Sequence, residues 1–172
     1  IKRIPILCLF LISLLPASPV LAQDSGRLNK LIELFENDEP AFGVLSFDYS
    51  LINARSLASS GLDFVFIDME HAPFDVERLR EFLLGMTNKR AIMDKGSLQP
   101  DVVPFVRIPA AGGAEELIAQ AKQVLDVGVF GIFFPAIHTR EQAELAVRAT
   151  RYPQYNDAAD YEPAGLRGRN PS

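Results

Sequence analysis

The 172-residue chain is 48% hydrophobic and 23% charged, with a formal net charge of -5, a balance that suits one globular domain of ordinary size. An acidic chain without any run of Lys or Arg has no basic stripe for nucleic acid. The single cysteine, Cys8, excludes an internal disulfide framework and a cysteine-based zinc site. With only two histidines, His71 and His138, any metal site must lean on carboxylates.

The N-terminus reads as a separate object. Lys2-Arg3 form a basic start, Ile4 to Leu15 an apolar core, and Val20 and Ala22 the small-residue positions before Gln23. This is the layout of a secretory signal peptide over residues 1–22. Its removal is expected to leave a mature protein that begins near Gln23, in the periplasm or outside the cell, and without stable membrane association. The alternative, an uncleaved anchor, fits less well because the run is short for spanning and carries prolines near its end. Cys8 lies inside the apolar core, too early for the cleavage site of a lipoprotein.

Residues 23–172 form the predicted domain. Leu28, Leu31, Ile32, Leu34 and Phe35 predict a short amphipathic helix over 29–36, ended by Asn37-Asp38-Glu39-Pro40. A first strand is expected over 42–47 and a helix over 50–60, with Gly61 at its stop. Phe64 to Ile67 is a continuous apolar run, too short for a helix, and reads as a strand buried on both faces. Asp75 is a candidate N-cap for a helix over 76–85. From 86 to 101 the periodicity is lost, and the stretch reads as a mobile connection without an element of its own. A third strand follows over 102–108, a turn at Ala110-Ala111-Gly112-Gly113, and a strong helix over 114–127 stopped by Gly128. A fourth strand is expected over 130–137. Thr139 caps a last helix to about residue 150, with Glu141 and Gln142 in its first turn. Residues 155–172 read as loop.

Four strands alternating with four helices argue for an α/β fold with a parallel sheet. The repetition suits the first four βα units of a (β/α)8 TIM barrel, since a complete barrel needs about 250 residues. Such barrels carry their chemistry at the carboxyl ends of the strands. There the second strand delivers Asp68, Glu70 and His71, and the third delivers Arg107. A histidine with carboxylates close by suits acid–base work. An arginine in the same mouth suits a planar carboxylate or a developing enolate. The competing readings are that the acids merely cap the next helix and that Arg107 forms a structural salt bridge. His138 reads as a loop histidine and is left out of the site. Asp126 sits near a helix C-terminus, where the dipole disfavours an anion, which suggests a partner for it or a plain surface acid.

The run Gly61-Leu-Asp-Phe-Val-Phe-Ile-Asp-Met-Glu-His-Ala-Pro, with Val106-Arg107-Ile-Pro109, Val124-Leu-Asp126-Val-Gly128, Phe134-Pro135, Arg151-Tyr152-Pro153 and Gly165-Leu-Arg167-Gly168, resembles the N-terminal half of the HpcH/HpaI aldolase and citrate lyase family. The resemblance implies a phosphoenolpyruvate/pyruvate-type TIM barrel. It also implies class II, metal-dependent aldol cleavage of 4-hydroxy-2-oxo or 2-oxo-3-deoxy acids to pyruvate and an aldehyde. By motif, His71 matches the proton acceptor, working through metal-bound water, and Arg107 the group that binds the pyruvate moiety and stabilises the enolate. Asp126 matches the acid that raises the basicity of the histidine. Asp68 and Glu70 would lie near a divalent ion (Mg2+, Mn2+ or Co2+) and contact it through water, the direct ligands being a Glu and an Asp expected beyond Ser172. A homo-oligomer, a hexamer, is implied as well. Two other functions remain open: an exported barrel that binds a small carboxylate without turnover, and a citrate-lyase-like enzyme acting on thioesters, against which export argues.

Overall fold

The structure, a computed structural model, describes residues 26–159 and 161–168. The expected signal peptide, with Cys8, lies outside the described residues. Four strands, β1 (Gly43–Ser46), β2 (Phe64–Asp68), β3 (Val103–Arg107) and β4 (Gly131–Phe133), form one parallel sheet in the order β1-β2-β3-β4. Helices α2 (Leu51–Ala58), α3 (Val76–Met86), α5 (Ala114–Asp126) and α6 (Arg140–Thr150) follow the four strands in turn, while α1 (Lys30–Glu36) precedes β1 and α4 (Lys89–Lys95) stands between α3 and β3. Neighbouring strands in strict chain order, each followed by a helix, are the geometry of a (β/α)8 barrel wall. None of the described helices is long and apolar enough to cross a membrane.

Local chemistry accounts for the helix starts. The side chains of Asn29, Ser50, Asp75 and Asn88 each accept a hydrogen bond from a backbone N–H in the first turn of α1, α2, α3 and α4. Thr139 and Gln142 close a full capping box on α6. The core lies between the sheet and its helices. Val65 and Ile67 of β2 and Val106 of β3 pack there with Ala54, Leu79, Phe82 and Val124.

Three expectations are corrected. Residues 86–101 do hold an element, the helix α4, whose ends are set by Asn88 and by Gly96 in the left-handed region at φ 65°. It helps to wall an apolar cavity of about 310 Å³ with Leu83, Leu98, Pro104 and Phe130, at the amino-terminal end of β3. The fourth strand stops at Phe133 and not at Ile137, because Pro135 cannot donate to a ladder and Ala136 turns the chain at φ 55°. Finally, β2 is not buried on both faces. Val65 and Ile67 are buried, whereas Phe64 and Phe66 are half-buried on the opposite side.

That opposite face would line a barrel interior, and within this chain it is covered by its own rings. Phe64 meets Phe105 edge-on at 6.3 Å, Phe66 lies 4.2 Å from Phe133, and Phe105 lies 5.8 Å from Phe133, between ring centroids. Two glycines make room for them. A β-carbon on Gly43 would stand 2.5 Å from the Phe64 ring, and one on Gly131 would overlap the ring of Phe105. Alternating large and small residues thus bring β1, β2, β3 and β4 into a register that carries β2 and β3 to the same height at their carboxyl ends.

Phe82 is fully buried and Phe35 is largely exposed. Urea unfolding should therefore show Phe82→Ala losing about 3–5 kcal/mol and Phe35→Ala changing stability by about 0.5 kcal/mol or less. Equal losses for the two would contradict this assignment of the core.

Candidate active site at the strand ends

Parallel pairing sets Asp68 of β2 opposite Arg107 of β3, and Arg107 opposite Phe133 of β4. Side chains at paired positions share a face, so the acid and the guanidinium meet at the carboxyl end of the sheet. Asp68 is completely buried. Its Oδ1 accepts from Arg107 Nε at 3.1 Å, from the Glu70 N–H at 2.9 Å and from the His71 N–H at 3.2 Å. Its Oδ2 pairs with Arg107 Nη2 and lies 3.0 Å from His71 Nδ1. Burial opposes the charge of Asp68, but the hydrogen bonds from Arg107, His71 and the two backbone N–H groups outweigh it and hold the carboxyl well below the usual carboxylate range. The aspartate stays an anion at every pH near neutrality. Its hydrogen bond in turn raises Arg107 above its ordinary value, against the opposing effect of burial.

Arg107 is held from three other sides. Its Nε is 3.1 Å from Glu70 Oε2, its Nη2 is 2.7 Å from His71 Nδ1, and its guanidinium carbon sits 5.5 Å above the Phe66 ring. Among the described residues, Nη1 has no partner, so one edge of the fork remains for a ligand.

His71 stands at the rim, with 62% of its side chain exposed. Its Nδ1 faces both an acceptor, Asp68 Oδ2, and a donor, Arg107 Nη2. With the proton on Nδ1 donated to Asp68, Nε2 offers a lone pair outward and acts as a base. Once Nε2 has taken a proton, the imidazolium keeps its Nδ1–H on Asp68 and returns the Nε2 proton outward as an acid. The Asp68 carboxylate, held in place by Arg107, therefore supports either direction of proton transfer at the same exposed atom.

Asp68, Glu70 and His71 bring potential ligand atoms within 4.8 Å of one another. They do not fit a divalent ion as direct ligands, because the Arg107 guanidinium occupies the space between the acids and takes Oδ1, Oδ2 and Oε2. What remains, Glu70 Oε1 and His71 Nε2, suits contact with a hydrated ion through water.

Of the residues singled out in the sequence, Asp68, Glu70, His71 and Arg107 come together. Asp126 does not join them. The helix α5 begins after the carboxyl end of β3 and runs back over roughly 18 Å to Asp126. The next residues re-enter the sheet at its amino-terminal end, where the Phe130 N–H donates to Pro104 O. Asp126 is half exposed there, 3.5 Å from Arg167 Nη2, and Arg167 in turn stacks on Tyr152 at 4.6 Å. His138 is exposed, and its backbone N–H donates to Gln142 Oε1 before α6, as expected of a loop residue. Tyr49 was not foreseen. It follows β1, and its hydroxyl donates to the backbone carbonyl of Asp68 at 2.8 Å. The polar run Ser46, Asp48 and Ser50 before a helix marked the end of a strand, which was the available hint.

A family model described as HpcH/HpaI aldolase/citrate lyase matches residues 49–159. A 4-hydroxy-2-oxo-heptane-1,7-dioate aldolase of Klebsiella pneumoniae is 35% identical over 140 residues, covering 81% of this chain and 43% of that protein. A hydroxypyruvate/pyruvate aldolase of Roseobacter denitrificans is 31% identical over 141 residues, covering 82% and 45%. Among solved structures, an HpcH/HpaI aldolase/citrate lyase family protein from Burkholderia cenocepacia superposes with a TM-score of 0.64 at 33% identity, over 83% of this chain and 48% of that one. The chain spans less than half the length of these relatives. The parallel βα units, the strand-end cluster and these matches agree: the chain belongs to the HpcH/HpaI aldolase/citrate lyase family.

Proposed function

We propose that this chain contributes part of the active site of a metal-dependent lyase that cleaves a 4-hydroxy-2-oxo acid, or a 2-oxo-3-deoxy acid, to pyruvate and an aldehyde. The observation that carries the reading is the joint anchoring of His71 and Arg107 on one buried carboxylate, Asp68. It pairs an exposed proton carrier with a fixed cation, the two groups that a retro-aldol step requires.

In this reading His71 Nε2 takes the proton of the 4-hydroxyl group, directly or through a water. The C3–C4 bond breaks, C4 leaves as the aldehyde, and the electron pair passes to C3 and into the 2-oxo oxygen. Arg107 Nη1 hydrogen-bonds the substrate carboxylate or the developing enolate oxygen, with no reorganisation because Asp68, Glu70 and Phe66 already hold the guanidinium. Return of the proton to C3 yields pyruvate. A divalent ion, when bound, supplies Lewis acidity toward the 2-oxo acid, with Glu70 and His71 suited to reach it through water.

Asp126 keeps the role that the resemblance implies only if it reaches His71 from a second copy of the chain, since within one chain it lies at the other end of α5. That requirement goes with the homo-oligomer, and with the hexamer, implied by the same resemblance. The proposed setting is periplasmic or extracellular, on the strength of the basic-then-apolar pattern of residues 1–22.

The direct test is pyruvate release from a panel of 4-hydroxy-2-oxo acids by the full-length protein, with and without Mn2+ or Mg2+. Metal-dependent release supports the reading. Oxo-acid binding in a calorimeter without release would instead favour the non-catalytic binder. With an active substrate, His71→Ala should lower kcat by about 10²-fold or more while metal affinity stays near wild type; loss of metal affinity would make His71 a ligand. Arg107→Lys keeps the charge but not the fork, and should lower kcat/KM by about 10²-fold; wild-type kinetics would remove Arg107 from the site. For Asp126, mixing inactive His71→Ala and Asp126→Asn subunits should restore activity if the two residues meet across an interface. No recovery from the mixture would leave Asp126 as the partner of Arg167 alone.

A further inference from the structure

We infer that Tyr49 is a positioning residue for this site: its hydroxyl replaces the strand partner that the Asp68 carbonyl lacks, and so fixes the carboxylate that orients Arg107 and His71.

The argument starts from the ladder. In a parallel strand, successive residues direct their backbone N–H and C=O groups to alternate neighbours. Flanking β2, Asp63 O accepts from the Val103 N–H at 2.9 Å and the Met69 N–H donates to Arg107 O at 2.9 Å, so along the strand odd-numbered residues face β3; at its very start the Asp63 N–H still turns to Phe42 O, at 2.7 Å. Even-numbered residues face β1, as the Phe64 N–H does toward Phe42 O. The pairing with β1 ends at Ser46 opposite Ile67. The carbonyl of Asp68 therefore points past the end of β1, on a residue that is completely buried. A buried carbonyl without a donor is costly. Tyr49 supplies the donor at 2.8 Å.

The turn that delivers Tyr49 is tied down by its own side chains. Asn53 Nδ2 donates to Ser46 Oγ at 2.9 Å and to Asp48 O at 2.7 Å, and the Ser50 N–H and Oγ donate to the Asp48 carboxylate at 2.8 and 3.0 Å. The Tyr49 ring packs on the core cluster that contains Ile67 and Met69. Burial first, then the charges of Asp68 and Asp75, pushes the phenol up to about 12, so the hydroxyl remains a donor at every working pH. Asp68 is thus gripped through its backbone from the β1 side by Tyr49 and through the next residue from the β3 side by Arg107 O. Its carboxylate, in turn, holds the Arg107 fork and His71 Nδ1. Loss of one grip lets the carboxylate drift, and sub-ångström drift is enough to misalign a proton carrier and a cation.

The test is Tyr49→Phe in the full-length protein, read in two ways. The catalytic readout rests on the aldolase reading: kcat should fall about tenfold with KM for the oxo acid changed less than twofold. The spectroscopic readout does not rest on it: water exchange of the Arg107 Nε–H, followed by 15N NMR, should speed up. The Nε–H of Arg148, bonded to Ala164 O at 3.1 Å, should keep its rate. Tyr155→Phe, at an exposed tyrosine, should move neither readout. A folded Tyr49→Phe protein with wild-type kcat and wild-type Arg107 exchange overturns the proposal. If that variant does not fold, Asn53→Ala loosens the same turn while keeping the hydroxyl, and the same two outcomes decide. If the wild-type protein releases no pyruvate, the aldolase reading fails, and the Arg107 exchange rate alone decides the role of Tyr49.

Discussion

A carboxylate with no exposure to solvent survives in a protein only if every strong acceptor direction is filled, and the organisation around Asp68 follows from that constraint. Its two oxygens receive an arginine fork, an imidazole nitrogen and two backbone N–H groups. None of these donors is local by accident. Arg107 arrives because β2 and β3 run parallel in a register that pairs the two residues. The N–H groups of Glu70 and His71 arrive because the chain bends back over the acid as it leaves β2. The exposed chemistry at the rim therefore depends on a buried anion that itself performs no step.

The register depends on packing one layer below. Phe64, Phe66, Phe105 and Phe133 interleave on the inward face, and Gly43 and Gly131 leave the space that the rings of Phe64 and Phe105 fill. A side chain at either glycine would push a ring away from the sheet and shift a strand relative to its neighbour. Phe66 connects the two layers directly, since it is both part of the aromatic row and the surface on which the Arg107 guanidinium lies. Core packing and site geometry are here one arrangement.

Much of this was legible in the residues. The run Phe64 to Ile67 announced a strand, Thr139 with Gln142 announced a helix start, and the acids and the arginine stood at strand ends where parallel barrels gather their functional groups. The helix α4 was hidden because Ala91, Ile92 and Met93 are adjacent and not spaced at a helical period. Its real markers were the cap Asn88 and the left-handed Gly96. Tyr49 was hidden for a different reason. Its role exists only once β1 is known to end one residue short of Asp68, and strand register is a tertiary fact. Asp126 was named through the resemblance and not through its own surroundings, and within one chain it stands at the far end of α5, beside Arg167.

The same geometry limits how a metal can be used. An ion bound directly by Asp68, Glu70 and His71 would have to displace a guanidinium that carries its own charge, hydrogen-bonds both oxygens of Asp68 and lies 3.1 Å from Glu70 Oε2. Expelling that cation would leave the guanidinium without its carboxylate partner, a cost that the attraction of the ion would first have to offset. The arrangement instead separates two sources of positive charge. Arg107 stays fixed against the sheet, and a hydrated ion, where the proposed function needs one, would approach from the solvent side of Glu70 and His71. In the proposed retro-aldol cleavage, separate cations on two sides of the oxo acid would suit a negative charge that moves from a hydroxyl oxygen to an enolate oxygen during one bond cleavage.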